Sequence, residues 1–350
     1  MVREIIDTSG KTSSVVRKPN AGVKLGVATV IFAALLYGFW MEVQSTGLVA
    51  TLGGHIGSAF ASFALMLAVL WFSCFGAMEW VASSLWSPTA RVFAPALLAI
   101  PYVVFSVPRG EFQWIYALGL AALPLALAAL LEFTHPEPQK FTWQDGVTLV
   151  TIAAVLEARV FSGAWPYNGL GSLPKLYLAD VVLYLYLVVR RLQGVGFSFV
   201  PQAIDFGIGV REWLFFLPFA LGLGFATHFI GFYPRHPSIG QVAGALLVTF
   251  LLTAMPEELF FRGILQNLLE PRLGRTWSLI VASCLFGLSH FHKSGMRVPG
   301  ITPVLFNWRY VMIAAIAGVF YGRAWRARRR LFASSLTHTL VDVVWGLWFR

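Results

Sequence analysis

Apolar runs recur from residue 25 to residue 348 with so little charge inside them that lipid must be the solvent for most of the chain. They fall at 25–40, 56–78, 92–107, 114–133, 147–163, 176–189, 213–231, 241–262, 277–291, 304–321 and 331–348. A helix needs about 20 apolar residues to cross a bilayer, and several of these runs are shorter. Only 12% of the 350 residues are charged, where a soluble domain carries about 25%. Backbone polar groups at membrane depth must be satisfied within their own segment, which leaves open sheet edges no place in lipid. The expected fold is all-α: a polytopic transmembrane helical bundle of about eight to eleven spans, with membrane lipid as its first partner.

The formal net charge of +10 would suit a nucleic-acid partner, but the basic residues gather at the ends of apolar runs. That is where the positive-inside rule places them, and no nucleic acid is expected. With the N-terminus cytoplasmic, Arg190 and Arg191, Arg272 and Arg275, and the cluster Arg323, Arg326, Arg328, Arg329 and Arg330 all fall inside. The expected location is the plasma (inner) membrane. Residues 1–22 are polar and Ser/Thr-rich and read as a disordered cytoplasmic tail. The run at 25–40 lacks a small-residue cleavage site and reads as a retained first span. The polar stretch 190–211 is the expected boundary between an N-terminal transmembrane region, 23–205, with no assignable role, and a C-terminal region, 206–350. In the first region Glu157, Arg159 and Asp180 are the ionisable exceptions, and an Arg159–Asp180 pair is expected to be structural. Cys74 and Cys284 lie in separate apolar runs with no metal-ligand neighbour and imply no disulfide framework.

Residues 253–263, Thr-Ala-Met-Pro-Glu-Glu-Leu-Phe-Phe-Arg-Gly, set two carboxylates and an arginine inside apolar surroundings. A charge at that depth costs at least about 2.5–3.5 kcal/mol, so it faces the protein interior and finds a partner. On a helix Glu258 and Arg262 share a face in the favourable acid-before-base order. Glu257 lies about 100° further round, outside that pairing. One carboxylate is then tied up structurally and the other is free for proton transfer. The competing account is a buried ion-pair network that only holds helices together. Further along, Phe286 and His290 stand four apart, and so do His338 and Asp342. Imidazole and carboxylate groups move protons near neutral pH or bind metals. His55, His135, His228 and His236 fall near helix ends or in loops, and His292 points away from the His290 face. Straight spans would put Glu257 and His290 at opposite membrane faces. A shared site therefore requires an irregular helix between 241 and 291.

Glu257-Glu258-x-x-x-Arg262, Phe286-x-x-x-His290 and His338-x-x-x-Asp342, in that order on successive apolar helices, resemble the CPBP family. These are the intramembrane CAAX proteases and bacteriocin-processing relatives, also called the ABI family. The resemblance covers roughly residues 210 to 350 and includes Pro256 and Gly263. It implies that 206–350 is an intramembrane endopeptidase domain acting on membrane-associated proteins or peptides, CAAX-type prenylated ones among them. Glu257 would then be the general base on a water and His290 would help polarise it. His338 and Asp342 would stabilise the oxyanion or position the scissile carbonyl, with Glu258, Arg262 and Phe286 in support. The CAAX proteases proper carry asparagine where this chain has Asp342, and an ionised aspartate cannot donate a hydrogen bond. Two mechanisms stay open: a glutamate–histidine site without cofactor, which is preferred, and a Zn²⁺ site of Glu257, His290, His338 and Asp342. The alternatives to a protease are an inactive scaffold or bacteriocin-immunity-type protein and, less favoured, a transporter. No internal symmetry of the transporter kind is seen.

Overall fold

A computed structural model gives the fold for residues 3–6, 12–15, 21–45, 48–167, 169–198, 200–291 and 307–349. The chain divides into two compact units, Met1–Thr46 and Gly47–Arg350. In the first, β1 (Arg3–Ile6) pairs antiparallel with β2 (Thr12–Val15), and α1 (Ala21–Ser45) follows. The sequence predicts no order before residue 23. The difference arises because a composition average over 22 residues hides two short runs rich in β-branched residues, Ile5-Ile6 and Thr12 with Val15. The first expected span lies within α1, whose apolar part is Leu25–Met41.

The second unit is helical. Its elements are α2 (Val49–Ser73), α3 (Ala77–Ser84), α4 (Pro88–Arg109), α5 (Trp114–Phe133), α6 (Trp143–Glu157) and α7 (Leu173–Leu183). Then come α8 (Ala203–Ala226), α9 (Ile239–Leu288), α10 (Trp308–Arg328) and α11 (Leu331–Trp348). Among the described residues five of these, α2, α4, α5, α8 and α9, are long and apolar enough to cross a membrane. The chain is thus a multi-pass membrane protein with an all-α core. Helix α6 has 15 residues, and the 11 of α7 run on through a π turn, Tyr184–Val189, so neither reaches the length of a straight span. In α11 the polar side chains Ser334, Ser335, Thr337, His338 and Asp342 lower the hydropathy.

The runs at 241–262 and 277–291 join into one helical path of 50 residues, α9. It is not straight. Pro256 has no N–H and its ring crowds the preceding turn, and the helix widens to π turns at Phe250–Ala254 and again at Leu259–Gln266. A second break follows Pro271, where Gly274 leaves helical geometry (φ 74°, ψ 174°). This is the irregular helix that a shared site requires.

The core of the C-terminal half centres on α10. Phe216, Phe286, Ile313, Ala317, Phe320 and Tyr321 are buried together there. Lipid tails are as apolar as this core, so close packing and polar contacts hold the helices rather than apolar burial. Small residues permit the approach: a Cβ on Gly318 would stand 3.0 Å from the Arg262 guanidinium, and one on Gly287 only 2.5 Å from the Val311 carbonyl.

The segment from Arg190 to Gln202, within the expected boundary 190–211, is stitched to the C-terminal helices. Asn267 Nδ2 donates to the Gln193 carbonyl (2.7 Å), Trp325 Nε1 to Val195 (3.1 Å) and the Leu331 amide to Gly196 (3.0 Å). Its near end is held by the buried Arg190–Asp145 pair and its far end by Arg330–Asp205 (2.9 Å), with Asp205 also capping α8. The expected Arg159–Asp180 pair does not form. Arg159 is exposed just after α6, whereas Asp180 is buried on α7 with Oδ1 lacking a hydrogen-bond partner among the described residues. Neighbouring runs in sequence do not fix how two helices are rotated against each other.

Candidate active site

Glu258 is the hub. Both it and Arg262 are fully buried, and Arg262 Nη1 donates to Glu258 Oε1 at 3.0 Å. The other arm of the guanidinium reaches the Gly318 carbonyl at 3.1 Å. The plane of the group lies 4.4 Å from the Phe286 ring centre and 5.3 Å from that of Tyr321. A buried cation is thus met on one side by a carboxylate and on the others by ring faces. Ser334 Oγ donates to Glu258 Oε2. His338 Nδ1 lies 2.9 Å from Glu258 Oε1. A carboxylate oxygen accepts, so Nδ1–H donates to Glu258 and Nε2 turns to the other acids.

Nε2 of His338 lies 3.5 Å from Asp342 Oδ2 and 3.9 Å from Glu257 Oε2. The Tyr321 ring stacks on the imidazole (4.5 Å, 16°) and Phe286 meets it edge-on (5.6 Å, 87°). Three sides of His338 are therefore held, and one edge faces two carboxylates. Those two are the open members of the set: the side chains of Glu257 and Asp342 are 17% and 36% exposed, while Glu258 has no exposure.

His290 joins through rings. Its Nδ1 donates to the Phe286 carbonyl at 2.9 Å, which directs Nε2 away from its own helix. Its ring lies 4.8 Å from Phe286 and 4.9 Å from Tyr310. Tyr310 in turn stands 5.4 Å from Trp345 of α11. Glu257, Glu258, Arg262, Phe286, His338 and Asp342 thus form one network, with His290 on its aromatic rim. His292 lies outside the described residues. Of the weaker histidines, His55 lies on a tight turn within α2, and His135, His228 and His236 lie outside helices.

One expectation is corrected. Glu257 does not stand apart: Lys175 Nζ lies 3.9 Å from its Oε1, and His338 comes equally close to Oε2. Lys175 belongs to α7, which packs against the Met255–Glu258 turn. Sequence reasoning missed it, although a lone lysine after Pro174 at the head of an apolar run was the available signal. Ser334 was also missed; it precedes His338 by one turn and so shares its face. Tyr310 and Tyr321 carried no signal beyond being aromatic.

Nδ1 of His338 is engaged by Glu258, and no group of three His, Cys, Asp or Glu side chains able to hold an ion is present among the described residues. A structural zinc needs four ligands at about 2.0–2.3 Å. Among the described residues Glu257, His290, His338 and Asp342 do not come together as such a ligand set.

Residues 239–344 match the family described as type II CAAX prenyl endopeptidase, Rce1-like. The match spans all of α9 and α10 and most of α11, and includes every residue of the network except Lys175. No curated protein and no solved structure matches the chain.

Proposed function

We propose that this chain is an intramembrane endopeptidase with Glu257 as general base, a reading supported by the match of residues 239–344 to the CAAX prenyl endopeptidase family. Its substrates are membrane-associated proteins or peptides, CAAX-type prenylated ones among them. The observation that carries the reading is the asymmetry of the two glutamates around His338. Glu258 is buried and committed to Arg262, Ser334 and the imidazole, while Glu257 is partly open on the opposite edge of the same ring.

In this reading Glu257 takes a proton from a water as the water oxygen adds to the scissile carbonyl carbon. His338, held by Glu258 through Nδ1 and protonated on Nε2 as well, donates Nε2–H to the carbonyl oxygen as charge develops there, and His290 orients the water. The proton then passes from Glu257 to the amide nitrogen as the C–N bond breaks. We favour this route without a cofactor over Zn²⁺, and the donor arrangement supports it. We also place the chain in the plasma (inner) membrane with its N-terminus cytoplasmic, on the strength of the basic residues at the ends of its apolar runs.

The test is turnover of a fluorogenic farnesylated CAAX peptide by the purified full-length chain, with metal content measured in parallel. Cleavage by wild type and none by Glu257→Gln is the expected result. Cleavage that survives Glu257→Gln removes the base assignment, and stoichiometric zinc lost together with activity overturns the cofactor-free route. The second reading, an inactive relative, rests on Asp342 standing where the CAAX proteases proper carry asparagine. It predicts no cleavage by either protein.

A further inference from the structure

Away from the site, a broad open basin of about 1200 Å³ lies where α3, the segment after α7 and the α10–α11 turn meet. Four arginines line it, Arg191, Arg328, Arg329 and Arg330, against one acid, Glu79. Two of the four are committed. Arg329 bonds Asn267 Oδ1 and Glu270 at 2.9 Å each, and Arg330 pairs with Asp205. Arg191 and Arg328 are exposed, and their guanidinium groups meet no carboxylate among the described residues. The basin thus keeps two uncommitted cations against one anion, on a frame that two further arginines hold rigid.

Its depth is marked by tryptophan. Trp86, 85% exposed, lines the basin just after the short helix α3, and Trp80 on α3 is 69% exposed. Indole rings left uncovered at helix ends of a membrane protein lie at the level of the lipid headgroups. The α10–α11 turn, which supplies Arg328, is likewise the end of two helices. A phosphate at that level is one that the bilayer itself provides.

We propose that this basin binds the headgroup of an anionic phospholipid, its phosphate between Arg191 and Arg328 and a headgroup hydroxyl donated to Glu79. Guanidinium groups match phosphate oxygens in a bidentate way that a diffuse positive surface does not. The same chemistry would take free phosphate. The interfacial tryptophans favour the lipid.

The experiment titrates the purified full-length chain in neutral detergent with short-chain phosphatidylglycerol, short-chain phosphatidylcholine or inorganic phosphate. Retained ligand is read by native mass spectrometry. Phosphatidylglycerol is expected to be retained and phosphatidylcholine not. Arg191→Gln with Arg328→Gln should weaken retention by about tenfold or more. A charge-matched control, Arg159→Gln with Arg235→Gln, should leave it unchanged. Equal retention of the two lipids, an equal loss in the control, or phosphate binding as tight as the lipid each overturns the proposal. If the double variant does not fold, the wild-type salt dependence decides: retention unchanged from low to high salt rejects a headgroup held by these charges.

Discussion

Glu258→Gln would leave the Arg262 guanidinium in a dry interior with no anion, and removing one partner of a buried pair costs about 3–5 kcal/mol. A drop in folded yield and in melting temperature is expected, together with loss of activity. Glu257→Gln differs, because its carboxylate is partly exposed and the lysine it leaves behind, Lys175, is 37% exposed and can turn to solvent. Melting close to wild type with no turnover is the expected outcome; equal destabilisation by the two changes would refute the division of labour. Lys175→Met should lower kcat several-fold with KM little changed, and Lys175→Arg should restore most of it, because the cation acts through Glu257. Asp342→Asn puts an amide at the edge of His338 and adds a donor that aspartate lacks. Turnover kept or raised is expected, and a fall below one-tenth of wild type would mean that the negative charge itself is needed.

At the scale of elements, the site depends on how closely α9 and α10 approach. Gly287 lies beside Phe286 and three residues before His290, and a methyl group there would stand 2.5 Å from the Val311 carbonyl and 2.7 Å from the Ala315 side chain. Backbone cannot yield as a side-chain tip does. Gly287→Ala should therefore destabilise the protein by roughly 1–3 kcal/mol and lower turnover, although it touches no reacting group. Thermal unfolding and peptide turnover on the same preparation check both parts. The wide turns around Pro256 have a related role. A helix broken at Pro256 and Gly274 can bring residues 33 positions apart to one aromatic cluster, which a straight rod of that length cannot do.

Across the whole Gly47–Arg350 unit, the family match ends well short of what holds the site. Lys175 arrives from α7, and the carbonyls of Gln193, Val195 and Gly196 accept from Asn267, Trp325 and Leu331. A chain beginning at residue 203 would leave those three donors unmet, at about 1–3 kcal/mol for each one that stays buried. Such a chain is expected to melt well below the full-length protein and to show little turnover. Full stability without residues 1–202 would show that the stitching is incidental.

The helical class and the membrane setting were legible in residue order alone. So was the Glu258–Arg262 pair, because four residues on a helix share a face whatever surrounds them. The identity and order of the acids and histidines were legible for the same reason: each short motif lies within one or two turns. Tertiary structure alone decided that Glu257 has Lys175 and His338 beside it, that Ser334 and Tyr321 steady the two hubs, and that Arg159 and Asp180 stay apart. It also decided that two expected spans are one kinked path and that the 190–202 segment is hydrogen-bonded to the C-terminal helices. These are contacts between helices. They depend on where a proline widens a turn and how close a glycine lets a neighbour come, and on a rotation about each axis that no local spacing encodes.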